Sequence, residues 1–324
     1  MNELIRNFSQ LGKNDAGIAG GKGASLGEMT SAGIPVPPGF VVLAGSFEQF
    51  LRENQIEADI DSILSKVNQK DTNSVDGASA EIQSIILNSK MPADIETEIL
   101  KHFAELDAEY VAVRSSATAE DGSSASWAGE LESYLNTTKE NLLDNVKKCW
   151  ASLFTPRAIF YRIEKNMHND KVSVAVVVQK MVESEVSGIC FTVHPVTEDH
   201  NQMVLEAGWG LGEAIVGGLI TPDNYIVDKK NLTVTDKYIS EQSIKIVRNV
   251  ERGTWNEGKV GTIEIPVPAE KREVQKLSDG GIVELAKICL QIEKHYGFPC
   301  DIEWAYGKDT FYIVQSRPIT TLSN

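Results

Sequence analysis

The chain has no excess of positive charge, no long apolar run and no paired cysteines, and each absence removes a class of function. Of its 324 residues, 31 are Lys or Arg and 46 are Asp or Glu, a formal net charge of −15. That balance offers nothing to offset phosphate repulsion over a large surface, so nucleic acid is not an expected partner. A nucleotide stays compatible, because its site needs only local positive charge. The four cysteines (Cys149, Cys190, Cys289 and Cys300) are scattered without a CxxC pair. They suggest neither a zinc site nor a disulfide framework, and reduced thiols are expected. No run approaches the length that crosses a bilayer, and the start Met1-Asn2-Glu3-Leu4-Ile5-Arg6 lacks the basic flank and apolar stretch of a signal peptide. A cytoplasmic protein with no membrane partner is the expectation. His102, His168, His200 and His295 have neither nucleophilic nor metal-ligand spacing, and His194 reads as structural. There is no internal repeat, no low-complexity segment and no Walker A spacing.

What is present is enough apolar sequence, 42%, for a real core and for two lobes rather than one. Residues 34–43 read as a proline-stiffened entry into a strand. Residues 46–110 are polar and mostly helix-like, with Ile60, Ile63, Leu64 and Val67 at helical spacing and a loop expected from Asp71 to Gly77. Val111 to Val113 form a short strand. Glu140 to Lys165 read as helical around Trp150 and Phe154, with Pro156 opening a new helix. Ser173 to Gln179 is a dense β-branched run, expected as a buried strand. From Gly188 the pattern is strand-rich, with one clear helix near Val283 to Tyr296. The composition shift near Glu183 to Ser187 marks the boundary between the lobes.

The chemistry gathers in two places. In Asp301-Ile302-Glu303-Trp304 the carboxylates are two residues apart, so on a strand both point to one face while Ile302 and Trp304 point to the other. After the turn Gly307-Lys308-Asp309, Gln315 and Arg317 share a face that continues from Phe311 and Ile313. If these segments pair as a hairpin, two carboxylates, an amide oxygen and a guanidinium converge. Hard oxygen ligands for Mg²⁺ beside an arginine for phosphate oxygens suit a nucleoside triphosphate, although an edge hairpin with a solvated polar face alternates in the same way. Near the other end, residues 17–29 form a glycine-dense loop running into a helix. Its glycines allow close backbone approach to an anion, and Lys22 sits near the helix N-terminus.

Several single positions stay open between functional and structural roles. Arg114, ending a strand before Ser115-Ser116, suits a phosphate clamp or an ion pair. Thr118 to Gly129 has the glycine and serine content of a lid. Gln179 and Met181 end the buried strand where adenine is commonly read, although Met181 suits a core equally well. Thr192 is a candidate phosphate contact. Glu206 and Glu213 flank the Gly208-Trp209-Gly210-Leu211-Gly212 run, whose glycines imply close backbone approach. Glu213 can face metal or ribose, or simply complement a helix dipole.

Six blocks, GGKGASLGEMTSAGIPVPPGF, AVRSSATAEDGSSASWAGELESYLN, CWASLFTPRAIFYR, GICFTVHPV, GWGLGEAIVGGLITPDNY and DIEWAYGKDTFYIVQSRP, carry a resemblance to one family. In this order the chain resembles the nucleotide-binding domain of the phosphoenolpyruvate synthase, pyruvate phosphate dikinase and rifampicin phosphotransferase group, from about residue 17 to residue 320. The resemblance implies an α+β, two-lobed ATP-grasp-like fold. Residues 1–185 would form a lobe with the glycine-rich loop, phosphate-binding Arg and lid, and residues 186–324 a lobe with the metal-binding hairpin. It implies ATP and Mg²⁺ as ligands. Lys22 and Arg114 would hold phosphates, Gly129 and Ser133 would follow the lid, and Gln179 would sit at the hinge. Glu303 and Gln315 would ligate Mg²⁺ and Arg317 would contact phosphate, with Asp301 beside them. Lys22, Arg114 and Arg317 would be the catalytic cations.

Two departures are visible: Ser133 stands where relatives often carry threonine, and Gly122-Ser123-Ser124 replaces a leucine-proline after Glu-Asp. Relatives pass a phosphoryl group to a histidine on a swivelling domain and then to an acceptor on a third domain. No histidine here has that glycine-rich context, so the phosphohistidine domain is expected on another chain or on a missing part of the same protein. Met1 and the tail Thr320-Thr321-Leu322-Ser323-Asn324 fit a natural end. The resemblance implies the ATP-binding half of a dikinase-type phosphotransferase, which transfers the β-phosphoryl and releases AMP and phosphate. The alternative is a non-catalytic ATP-binding or sensor module.

Overall fold

A computed structural model describes residues 3–118, 132–164, 173–249, 261–320 and 322. The chain divides into two compact units, Met1–Glu28 with Pro38–Met181, and Met29–Pro37 with Val182–Asn324. Strand ladders are antiparallel throughout the described residues. Helices are mixed with sheets whose neighbouring strands pair antiparallel, so the class is α+β.

In the first unit the elements run β1 (Ile5–Asn7), α1 (Ala16–Ser31), β2 (Gly39–Val42), α2 (Ala44–Glu53), α3 (Glu57–Leu64), α4 (Thr72–Asn88), α5 (Ala93–Glu105), β3 (Val111–Ala117), β4 (Ser133–Thr137), α6 (Leu142–Ala151), α7 (Pro156–Glu164) and β5 (Val174–Lys180). The strands form one sheet in the order β1-β2-β5-β3-β4. Strand periodicity sends Phe40, Val42, Val111, Val113, Val174, Val176 and Val178 into one core with the helices, where Trp150 packs on Phe47 and Phe50 at ring-centroid distances of 5.6 and 4.9 Å. β5, in the middle of the sheet, is buried along nearly its whole length, as its β-branched run requires.

Residues 71–77 are not a loop. Asp71 accepts a hydrogen bond from the Asn73 backbone N–H (3.1 Å) and caps α4. Val75, Ala78, Ser79, Ile82 and Ile86 then bury one face at helical spacing. Gly77 lies within the helix with nothing near its missing side chain, so its small size marks no turn.

The second unit continues with β6 (Val186–Phe191), β7 (Gln202–Trp209), α8 (Glu213–Val216), β8 (Asp223–Asp228), β9 (Thr233–Tyr238), β10 (Ile244–Arg248), β11 (Thr262–Pro266), α9 (Asp279–Tyr296), β12 (Cys300–Gly307) and β13 (Thr310–Pro318). Six strands pair in the order β13-β12-β6-β7-β8-β9, while β10 and β11 form a separate ribbon. Helix α9 starts at Ser278, whose side chain accepts from the Gly281 N–H, and ends at Gly297 in the left-handed region. It buries Ile282, Leu285, Ala286, Cys289 and Ile292. Cys190 and Cys300 share this buried layer. All four cysteines are free and buried, and desolvation pushes the Cys300 thiol up to about 12.

A wholly buried ion pair anchors the start of β8. Lys276 Nζ lies 3.0 Å from Asp223 Oδ1, and both side chains are fully inaccessible. The Tyr225 hydroxyl donates to Asp223 Oδ2 (2.7 Å), the Ser240 N–H donates to Oδ1 (3.0 Å), and Lys276 donates to the Ser240 carbonyl (2.7 Å). Such a pair holds only while both charges are present. Lys276→Met should therefore cost about 3–5 kcal/mol, read as a lowered denaturant midpoint by circular dichroism.

Candidate functional site

The hairpin that closes the second unit brings Asp301, Glu303 and Gln315 together on one face. Its turn is tight, Gly307 pairing with Thr310 around Lys308 and Asp309, which both adopt positive φ (52° and 56°) as a type I′ turn demands. From there Tyr306, Ala305 and Trp304 pair with Phe311, Tyr312 and Ile313. The register then shifts between Glu303 and Trp304, so that Glu303 pairs with Gln315, and Asp301 with Arg317. Val314 is the extra residue of a β-bulge.

This corrects the face expected for Gln315 and Arg317. Strict alternation would put them with Phe311 and Ile313, which are buried. The bulge inverts the parity: Ser316 joins the buried layer with Ile302 and Trp304, and Gln315 and Arg317 turn to the opposite face with Asp301 and Glu303. Arg317 Nε and Nη2 both reach Asp301 Oδ2, at 2.9 and 2.8 Å. The arginine side chain is 49% accessible and the aspartate 13%, so the guanidinium keeps an open side for a further anion.

The same face extends inward. Glu303 pairs with Ile189, Ile189 with Glu206, and Glu206 with Asn224, so these residues lie in one row across four strands with Gln315 at its end. Burial, and after it the charge of Asp301, raises the Glu206 carboxyl above its ordinary value. Sequence reasoning named Glu206 but gave it no role. The signal was its place in Met203-Val204-Leu205-Glu206-Ala207, an acidic residue among the buried positions of a strand.

Oxygen donors of this kind fit Mg²⁺. Among the described residues no group of three or more His, Cys, Asp or Glu is arranged to hold a metal ion. Mg²⁺ is ordinarily bound by one or two carboxylates and completed by phosphate oxygens and water. Glu303, with the Gln315 amide opposite, matches that partial set rather than a closed protein cage.

Two expected residues lie elsewhere. Thr192 is fully buried, its hydroxyl 3.1 Å from Glu293 Oε1 on α9 and accepting from the Cys300 N–H at 2.8 Å. It points to the α9 side, away from the carboxylate row, and Glu293 is itself paired with Lys229 at 2.7 Å. Glu213 is exposed in the first turn of α8. The nearby glycines approach the chain itself: a Cβ on Gly210 (φ 81°) would sit 2.3 Å from the Ile246 carbonyl oxygen, which also accepts from the Leu211 N–H.

In the first unit, Arg114 pairs with Ser133 on one side and Val177 on the other. Gln179, two residues beyond Val177, therefore shares their face, opposite the Val111 and Val113 core. Helix α1 lies on this face: the Gly23 N–H donates to Ser116 Oγ at 3.3 Å, and Gly23 packs on Val41. Arg114 and Lys22 are half-buried, Ser133 is exposed and Gln179 is buried. Met181 is half-buried and donates its N–H to the Tyr110 carbonyl. Gly129 and the lid residues 119–129 lie outside the described residues.

The glycine-dense segment is helical rather than a loop. Only Gly20 leaves helical geometry (φ 68°, ψ 170°), and Lys22 follows in the first turn after this break. A Cβ at Gly20 would meet Ser116 Oγ at 2.2 Å and its carbonyl oxygen at 2.3 Å. Gly20→Ala should thus lose at least about 1–3 kcal/mol from backbone strain and move Lys22 from the face of Arg114, measured by thermal unfolding and backbone amide NMR shifts around both residues.

Comparison with known proteins identifies the family of the chain. The family model described as pyruvate phosphate dikinase, AMP/ATP-binding domain, matches residues 16–324. A probable phosphoenolpyruvate synthase of Methanocaldococcus jannaschii is 48% identical over 99% of this chain and 27% of its own length. The phosphoenolpyruvate synthase of Pyrococcus furiosus is 42% identical over 98% of this chain and 44% of its own. The rifampicin phosphotransferase of Bacillus cereus is 38% identical over 99% and 36% respectively. The chain thus spans less than half the length of these relatives. It belongs to the pyruvate phosphate dikinase AMP/ATP-binding domain family.

Proposed function

We propose that this chain is the ATP-binding half of a dikinase-type phosphotransferase, with an ATP-grasp-like division into residues 1–185 and 186–324. What carries the proposal is the hairpin register, which sets Glu303 opposite Gln315 and Asp301 opposite Arg317 on one face. Family membership supports ATP as the ligand. Lys22, Arg114, Ser133 and Gln179 of the first unit, with Gly129, supply contacts to phosphate and nucleotide, and Met181 contacts adenine. Glu303 and Gln315 would hold Mg²⁺, which when bound screens and orients the phosphate oxygens. Lys22, Arg114 and Arg317 neutralise charge that develops on the phosphoryl group. Arg317 can bridge Asp301 and a phosphate oxygen at once, using the donors left on its open side.

The acceptor is a histidine on a swivelling domain, carried by another chain or another part of a longer protein. By resemblance the β-phosphoryl passes on, and AMP and inorganic phosphate are released. A cytoplasmic setting fits this chemistry, and no helix among the described residues is long and apolar enough to cross a membrane.

Phosphorus NMR of Mg-ATP with this chain should show AMP, inorganic phosphate and phosphohistidine only when a histidine-bearing swivelling domain of a relative is added. ATP signals that broaden without converting would instead indicate a binding or sensor module. Glu303→Ala should weaken Mg-ATP binding far more than binding of metal-free ATP; equal losses by calorimetry would remove Glu303 from the ligand set. Arg114→Ala should cost about 1.5–3 kcal/mol of ATP affinity if it makes charged hydrogen bonds to phosphate.

A further inference from the structure

Asp301 holds Arg317, and Asp301 itself stands at the outer end of its strand pairings. The β6–β12 register ends with Phe191 opposite Asp301. One residue further out, Cys300 faces Pro318 on the β13 side, and a proline has no N–H to donate. On the β6 side the Thr192 N–H donates to the Cys300 carbonyl at 2.9 Å. The Thr192 carbonyl is taken by Lys229 Nζ at 2.9 Å, and the Cys300 N–H donates instead to the Thr192 hydroxyl at 2.8 Å. A side-chain oxygen thus does what the next backbone carbonyl of a regular ladder would do.

That exchange ties the end of the sheet to a charged pair. The Thr192 hydroxyl donates in turn to Glu293 Oε1 on α9 (3.1 Å), and Lys229 Nζ lies 2.7 Å from the same oxygen, which closes a ring of hydrogen bonds. Thr192 is fully buried, and the Lys229 and Glu293 side chains are only 14% and 15% accessible. Little water can replace a lost bond there, so removing the hydroxyl strands the buried Cys300 N–H. The residue after Cys300 is Asp301, whose Oδ2 receives both Arg317 nitrogens. Beyond Arg317 and Pro318, β13 is next held by the Ile319 N–H on the Pro299 carbonyl at 3.0 Å. Both polar backbone groups of Cys300 therefore rest on Thr192, one residue from the carboxylate that orients the guanidinium.

We infer that Thr192, backed by Glu293 and Lys229, is a positioning residue for Arg317: it fixes the start of β12, which sets the Asp301 carboxylate and through it the direction of the guanidinium. The consequence for ATP rests on the proposed site, whereas the orientation of Arg317 is read directly, so the two can fail separately. The direct readout is the Arg317 Nε–H signal in nitrogen–proton NMR of the 324-residue chain, identified by its loss in Arg317→Met. Thr192→Val keeps the shape and removes the hydroxyl. It should broaden that signal and move it toward the position of an exposed, unpaired arginine. Thr192→Ser, which keeps the hydroxyl, should leave the signal at its wild-type position. Affinity for Mg-ATP by calorimetry should fall about 5-fold in Thr192→Val, the worth of one ordinary hydrogen bond. In an Arg317→Met background the same change should alter affinity by less than about 2-fold, because its effect passes through Arg317.

An Arg317 signal unmoved in Thr192→Val overturns the inference, and so does a loss of ATP affinity of the same size with and without Arg317. The hydroxyl would then serve the fold alone. If Arg317→Met binds Mg-ATP as the wild type does, the assignment of Arg317 to phosphate falls, and the Nε–H signal alone decides whether Thr192 sets the guanidinium. Should Thr192→Val fail to fold, Thr192→Ala, smaller and also without the hydroxyl, takes its place with the same outcomes.

Discussion

One extra residue, Val314, decides which way Gln315 and Arg317 face. Side chains alternate along a strand, so any insertion turns every later side chain to the other face. Before Val314 the strand packs Phe311 and Ile313 into the layer under α9; after it, the same layer receives only the small Ser316. Without the bulge, Gln315 and Arg317 would be driven into an apolar layer beside Trp304, and Asp301 would lose its partner. Apolar packing and polar function thus share one hairpin, with the change of role set by a local register shift. The tight turn at Lys308 and Asp309 holds that register from the far end, since a two-residue connection leaves no slack for the strands to slide.

The electrostatics follow from this arrangement. A cation already in contact with a carboxylate is a weaker trap for phosphate than a bare one, but its guanidinium is held in place and loses little freedom when a second anion arrives. The first unit reaches a similar end by backbone geometry. Gly20 lets α1 approach Ser116 closely enough to bring Lys22 to the face of the sheet that carries Arg114. Lys22 and Arg317 are thus placed by steric fit, with close packing at their base.

Much of this was legible in the chain, and the failures have physical causes. The pairing of Asp301 and Glu303 with Gln315 and Arg317 was visible because two short amphipathic runs flank a three-residue turn. The bulge was not, since Val314 differs in no way from a residue of a regular strand. Strand β5 was plain from its β-branched run. The segment 17–29 misled because glycine usually breaks helices, whereas Gly23 and Gly27 serve close packing against Val41 and Leu11 and only Gly20 takes a positive φ. At 71–77 polar residues suggested a loop, yet Asp71 and the spacing of Val75, Ile82 and Ile86 are marks of a capped helix. Thr192 was attractive for its hydroxyl, and only the packing of α9 shows that Glu293 and Cys300 already use it. Glu206 was passed over because its relation to Glu303 is created by strand order, which no local pattern reports.

The path of the chain between the two units has a consequence for anyone who would cut it. Residues 29–37 belong to the second unit although they lie between two segments of the first, and the Pro35 carbonyl accepts the Ile313 N–H at 2.8 Å. The backbone therefore passes from one unit to the other three times, at 28–29, 37–38 and 181–182. A fragment beginning at residue 182 would carry every residue of the carboxylate face but would expose the outer edge of β13 where Pro35 normally binds. Gene fusions, split reporters and domain grafts made at the apparent midpoint would inherit that bare edge. A circular permutant that keeps 29–37 joined to the C-terminal portion would retain it capped.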